Sequence, residues 1–329
     1  MPTTEIVFLA FVGGIFGTSM GALWAFCLCG LVTMIGCAII LAGGSDFLLL
    51  QVGLGPIFGP HAGGFLAGVI ASSYASGLRG NHPGGAGAGK DILSPLIGSS
   101  WDVLVVGGLA SMAGVLLVPL LGKIPVVREA DGLGLSIVTV TFVSRFIFQK
   151  EGCFGKSPTR QKYGLLGTGN YCISWISWMA PLPRLIVLGF GVGGLAGGVA
   201  KFSVAALAPL VSSGAISEAA AGTVPIIFCW GLSAVMLTTL QLGQGSIQKV
   251  PVTHCMAVVG ALGFLYTNSL VGGALSGVLG ALTQELSARL FYNHGSDHLD
   301  PPAAGIALGV FILNILFKPQ WLNASTWLN

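Results

Sequence analysis

Two histidines, His61 and His254, stand beside the two places where helix-breaking residues most disturb an otherwise apolar sequence. A neutral imidazole donates and accepts hydrogen bonds and titrates near neutral pH, which suits proton coupling or a hydrogen bond to a carboxylate or amide solute. The first place, Leu54-Gly55-Pro56-Ile57-Phe58-Gly59-Pro60-His61-Ala62-Gly63-Gly64, holds two prolines and four glycines. Proline removes an amide donor and blocks helix continuation, and glycine permits unusual dihedrals. A chain broken inside membrane-scale apolar sequence frees carbonyls and amides to face a solute. A half-helix beginning near Pro60 would also present a partial positive charge to an anion or a polar group. The second place runs from Gln241 through Gln244, Lys249, Pro251 and Thr253 to His254. The expected solute site therefore takes Gly55, Pro56, Phe58, Gly59, Pro60 and His61 from one break, and Gln241, Gln244, Thr253 and His254 from the other. The plainer alternative is a short extramembrane loop between ordinary spans, its histidine satisfying freed backbone groups.

Asp46, Asp102, Lys201, Glu218 and Glu285 lie in or near apolar segments. Charge at membrane depth is costly and marks functional candidates; Asp102 ranks first and joins the expected solute site, with Lys201 second. Asn293-His294-Gly-Ser-Asp297-His298-Leu-Asp300 offers nitrogen and oxygen donors for a divalent ion. Loops collect such residues, however, and the related Asn81-His82-Pro83 has no second histidine, so no metal, cofactor or catalytic group is assigned. Gly84 to Asp91 satisfies GxxxxGK, but Asp91 replaces the hydroxyl a phosphate loop needs, and the segment reads as a flexible connector. Ser94-Pro95 and Asp300-Pro301 read as N-caps with proline in the first turn. There is no CxxC pair, and Cys27, Cys29, Cys37, Cys229 and Cys255 read as small buried hydrophobes. Asn323-Ala-Ser is a glycosylation sequon.

The elements that must position these groups follow from composition. Of 329 residues, 53% are hydrophobic and 8% charged, with a mean hydropathy of +0.87. A soluble domain carries about 25% charged residues, so the expected class is an all-α polytopic membrane protein. Apolar segments fall at 5–18, 20–43, 46–57, 60–79, 96–121, 133–148, 183–212, 223–243, 252–267, 270–290 and 302–318. They are too long and too uniformly apolar for barrel strands. The 52 glycines suit close helix packing in lipid and interrupted helices. A net charge of +3 gives no nucleic-acid partner. The N-terminus lacks the basic region of a cleavable signal, so its first apolar stretch is expected to be retained.

Ordered local matches suggest a duplication. Residues 12–17 resemble 192–197, 26–31 resemble 227–232, and 63–69 resemble 272–278; Asn81-His82 pairs with Asn293-His294, and 91–95 with 297–301. The expected domains are an N-terminal membrane repeat over 1–148, a basic loop and interfacial segment over 149–181 carrying Trp175 and Trp178, and a C-terminal repeat over 182–329. Lys150, Lys156, Arg160 and Lys162 make the 149–162 loop cytoplasmic under the positive-inside rule. If 46–57 is a half-helix that dips in and returns, each repeat has about five segments and the two are inverted. Loop 79–95 then lies in the cytoplasm and loop 291–300 outside. Two Gly-rich halves with broken helices are similar in outline to channel-like transporters for small solutes such as urea or formate. The expectation is a channel or permease for a small neutral or monovalent solute, homo-oligomeric, in the inner (plasma) membrane of a prokaryote. The other classes open to the sequence are a membrane-embedded metal-dependent enzyme and a non-transporting complex subunit.

Overall fold

The computed structural model describes residues 2–93, 100–241 and 250–317, and every regular element among them is helical. The helices are α1 (Thr4–Met20), α2 (Ala22–Leu41), α3 (Leu66–Tyr74), α4 (Trp101–Leu121), α5 (Gly132–Ser144), α6 (Ser157–Tyr163), α7 (Leu182–Ser212), α8 (Glu218–Met236), α9 (Thr238–Gln241), α10 (His254–Thr267), α11 (Leu270–Ser287) and α12 (Pro301–Phe317). Wide π-helical turns extend α3 (Ala75–Arg79), α5 (Arg145–Gln149) and α11 (Ala288–Tyr292), and a fourth stands alone at Leu48–Gly53. Side chains cap the starts of several helices. Asp131 takes the amide of Gly134 at 2.6 Å and Asp300 that of Ala303 at 2.7 Å, so Asp300-Pro301 does open a helix. Ser94, Pro95 and the Asn323 sequon lie outside the described residues.

Among the described residues, five helical stretches are long and apolar enough to cross a membrane: Ala22–Leu41, Trp101–Leu121, Gly132–Gln149, Leu182–Ser212 and Glu218–Leu240. This agrees with an integral membrane protein. Their packing depends on absent side chains. A Cβ on Gly14 of α1 would meet the Ser111 Cβ of α4 at 2.6 Å and the Gly107 carbonyl at 2.8 Å. A Cβ on Gly193 of α7 would meet the Gly273 carbonyl of α11 at 2.6 Å. Each pair is antiparallel, since Thr18 reaches Gly107 and Gly189 reaches Gly277. Backbones this close gain dispersion contacts that lipid chains would not replace.

The chain from 46 to 79 corrects one expectation. Leu49 packs on Gly36 and Gly53 on Thr33, so the π-helical turn runs antiparallel to α2. Ile57, Gly63 and then Gly68 follow at Gly13, Gly17 and Ala22, moving along α1 in its own direction. Segment 46–57 therefore does not dip and return: 46–79 keeps one direction, broken over 54–65 where proline and glycine forbid a helix.

A second correction concerns the matched segments. Residues 63–69 end the break and open α3, which runs parallel to α1, whereas 272–278 lie in α11, antiparallel to α7. These two stretches hold different places, and Gly-rich apolar sequence accounts for the match. Nor are the loops after them on opposite faces. Gly89 pairs with Asp297 in a backbone bridge, and the Lys90 ammonium donates to the Asn293 carbonyl at 3.2 Å. The loop from 149 joins them there: Lys156 N donates to the His294 carbonyl at 2.9 Å. Arg145, fully buried, grips Asp297 with its Nε at 2.7 Å and Nη2 at 2.6 Å.

Contact between the two halves runs through α2 with α8, and α5 with α12. A Cβ on Gly30 would meet the Gly231 carbonyl at 3.0 Å, and one on Gly231 the Gly30 carbonyl at the same distance. Gly134 of α5 lies against the Ala303 carbonyl of α12, and the Asn314 amide donates to the Glu129 carbonyl at 2.7 Å.

Candidate functional site

The broken stretch 54–65 is held by backbone against backbone. A Cβ on Gly17 would overlap the Gly63 carbonyl, and one on Gly114 of α4 would overlap the His61 carbonyl. The chain also satisfies the amides at the start of α3 itself: Leu66 N donates to the Pro60 carbonyl at 3.0 Å and Ala67 N to Ala62 at 3.2 Å. The half-helix start expected to greet an anion near Pro60 is thus occupied by its own coil. Phe65 ends that coil, buried, and its ring lies 5.2 Å from that of Phe26 on α2.

His254 is the first residue of α10, reached from the other break. Its ring also lies 5.2 Å from Phe26, and Trp230 of α8 meets Phe26 edge-on at 5.3 Å. Two cavities meet at this cluster. The first, of about 280 Å³, reaches toward the joined loops and is lined by Lys90, Asp91, Trp175, Leu237, Tyr292 and His298 among others. The second, of about 240 Å³, reaches toward the starts of α5 and α8 and is lined by Leu54, Pro60, Asp131, Gly222, Thr223 and Val258 among others. Phe26, Phe65, His254 and Asp300 line both. The cavities lie in series along one helix path: Gly222, Thr223, Ile226, Ile227 and Trp230 face the second, and Leu237 and Leu240 the first. At 1.5 Å per residue that path is about 27 Å long, close to the hydrocarbon thickness of a bilayer.

The shared wall is aromatic with one carboxylate. Asp300 keeps one oxygen on the Ala303 amide and the other 3.2 Å from His298 Nε2. His298 is wedged edge-on against Phe65 at 6.0 Å and Tyr292 at 5.2 Å. His254 Nδ1, His298 Nδ1 and Trp175 Nε1 are buried with no hydrogen-bond partner among the described residues. Such groups normally find one, and a solute or water in the cavity would supply it. Lys90 stands over the Tyr292 ring at 4.4 Å.

Of the expected solute residues, Pro60 and His254 line a cavity. Gly55, Pro56, Phe58, Gly59 and His61 build the break behind it; His61 is buried with a free Nδ1 but lines neither cavity. The two histidines are not brought together across one space. Thr253 donates to Ser233 at 2.9 Å, Gln241 ends α9, and Gln244 lies outside the described residues. Asp102 sits away from both cavities at the start of α4, where it accepts from Tyr74 and Arg79, each at 3.0 Å. Lys201 is exposed on α7, Asp46 accepts from Ser217 at 2.9 Å, and Glu285 pairs with Arg289 at 2.7 Å. Trp175 is buried against Tyr292, with its amide on Asn293 Oδ1. Of the residues around the cavities, sequence reasoning weighed Asp300 and Lys90 only in other roles. It did not find Phe26, Phe65, Trp230, Tyr292 or Asp131. Asp131 carried a usable signal, an acid before a Gly-rich apolar run, which is a helix start. Among the described residues no group of three or more His, Cys, Asp or Glu is gathered to hold a metal.

The chain belongs to a family of unknown function, DUF7973, whose model matches residues 1–162 and 202–329. No curated protein and no solved structure matches it.

Proposed function

We propose that this protein is an integral membrane channel or secondary transporter for a small neutral or monovalent solute, which passes through the two cavities. The observation that carries the reading is their arrangement in series along the α8 path, with a shared aromatic wall at Phe26, Phe65, His254 and Asp300. A wall of packed rings between two cavities is what a closed gate requires. A solute reaching it from either side meets His254 and Asp300 as its polar partners.

The same proposal includes two inverted repeats of five spans, in a revised register: α1 with α7, α2 with α8, the broken 46–79 span with α10, α4 with α11, and α5 with α12. What supports it is the recurrence of neighbours. Gly13 and Gly17 receive Ile57 and Gly63 from the broken span, as Gly193 and Gly197 receive Gly260 and Phe264 from α10. The α1–α4 glycine contact recurs as α7–α11. The mutual Gly30–Gly231 contact is what a two-fold axis in the membrane plane would place between equivalent residues. Under the positive-inside rule, the end carrying Lys90, Lys156, Arg160 and Lys162 is cytoplasmic.

Reconstitution tests it. Proteoliposomes should pass at least one member of a panel of small neutral and monovalent solutes faster than empty vesicles. Gly222→Trp should abolish that flux, because Gly222 lines the second cavity and has open space for a side chain. Flux that survives the tryptophan, or no flux for any solute, would sink the proposal.

A further inference from the structure

The charges around the cavities are lopsided. Among the described residues that line them, Asp91, Asp131 and Asp300 carry carboxyl groups, and Lys90 alone carries an ammonium. The second cavity holds two of the carboxyls and no lysine or arginine. Lys90 is also committed elsewhere: its ammonium is spent on the Asn293 carbonyl at 3.2 Å and on the face of Tyr292 at 4.4 Å. An anion would find no free cationic side chain in this lining and up to three like charges. A bare inorganic cation needs about six oxygen ligands, whereas this lining is built of rings: Phe26, Phe65, Trp175, Trp230 and Tyr292. Aromatic faces backed by carboxylates are the surroundings that stabilise an alkylated ammonium, which is weakly hydrated and attracted to the ring quadrupole. Lys90 over Tyr292 shows that a ring of this lining already accepts an ammonium.

We infer that the solute is a small organic monocation, an amine or quaternary ammonium, held at the shared wall by Phe26 and Phe65, with Trp230 of the second cavity beside Phe26 and Asp300 as its counter-charge. This rests on the transport reading and deepens it by naming the substrate class. Lys90 then acts as a tethered competitor. Its charge raises the cost of bringing a second cation into the first cavity, and it sets how tightly that cavity holds its guest.

Three probes of nearly one shape separate the charges: choline, its neutral isostere 3,3-dimethylbutan-1-ol, and the anion 3,3-dimethylbutyrate. Binding to purified full-length protein is read by tryptophan fluorescence, since Trp175 and Trp230 line the cavities. Choline should bind at least about tenfold tighter than the alcohol, and the butyrate should not bind. Asp300→Asn keeps a capping side chain for α12 and should weaken choline about tenfold. Lys90→Gln should strengthen it severalfold, a gain that misfolding cannot mimic. Equal binding of choline and the alcohol, preferred binding of the butyrate, or choline affinity unchanged in both variants would overturn the inference. If a neutral or anionic solute crosses proteoliposomes and Gly222→Trp blocks it while choline neither binds nor crosses, the passage stands and its cation selectivity falls. If nothing crosses at all, the passage itself falls.

Discussion

Lys90 works under opposing influences at the scale of a single residue. Burial, and then the positive charge of Arg145, pull its pKa from 10.5 down to about 8, with Asp297 and Glu151 holding it up and Lys156 adding to the depression. Between pH 7 and 9 its ammonium is therefore lost, and with it the repulsion of a cation in the first cavity. Choline affinity should rise across that interval in the native protein and stay nearly flat in Lys90→Gln, measured by the same fluorescence titration at each pH. A pH step that survives in Lys90→Gln would belong to another group. The neighbouring Arg145–Asp297 pair is fully buried, and removing one partner strands the other's charge. Asp297→Ala should cost about 3–5 kcal/mol, whereas Arg145→Met with Asp297→Leu should recover much of it. Thermal melts in detergent compare the three, and equal melting of the single and double variants would contradict the assignment. The sequence disclosed these residues unevenly. His254 was legible because it follows a proline and polar run that cannot continue a helix. Phe26 was not, because α2 is apolar on every face and nothing in its spacing says which face meets a cavity.

At the scale of elements, the break at 54–65 is held by glycine contacts rather than by side-chain chemistry. Gly114 leaves room for the His61 carbonyl, and Gly17 for that of Gly63. Gly114→Val should push the break away from α4, at a cost of about 1–3 kcal/mol or more, with flux reduced in parallel. Gly198→Ala on α7, where an added Cβ meets nothing within 4 Å, should leave both unchanged. Melting temperature and proteoliposome flux check the pair; equal effects would mean that helix propensity, not contact, decides. The break itself could be read from two prolines and four glycines in a row of apolar residues. Its path could not. Whether a broken segment returns or continues depends on which helix its carbonyls meet, and glycine carries no face to reveal that. For the same reason the match of 63–69 with 272–278 misled: small-residue motifs recur wherever helices touch, at equivalent places or not.

For the whole molecule, passage of a solute requires the two cavities to open toward opposite sides of a membrane, closed from each other by one wall. Composition and the span lengths made the membrane class legible at once. The joining of loops 80–93, 149–156 and 293–300 into a single cover was not, because charge counting assigned them to sides one at a time. The pairing of Arg145 with Asp297 across 152 positions has no local signature. One measurement addresses the central claim without knowledge of the solute. Cys153 and Cys172 are exposed, whereas the other five cysteines are buried, so a variant with serine at both is a quiet background. In it, Leu93→Cys opens onto the first cavity and Thr223→Cys onto the second. Oriented proteoliposomes treated with a membrane-impermeant thiol reagent should label Cys at 93 from one side only and Cys at 223 from the other side only. Labelling of both from the same side would contradict a passage that runs through the two cavities in series.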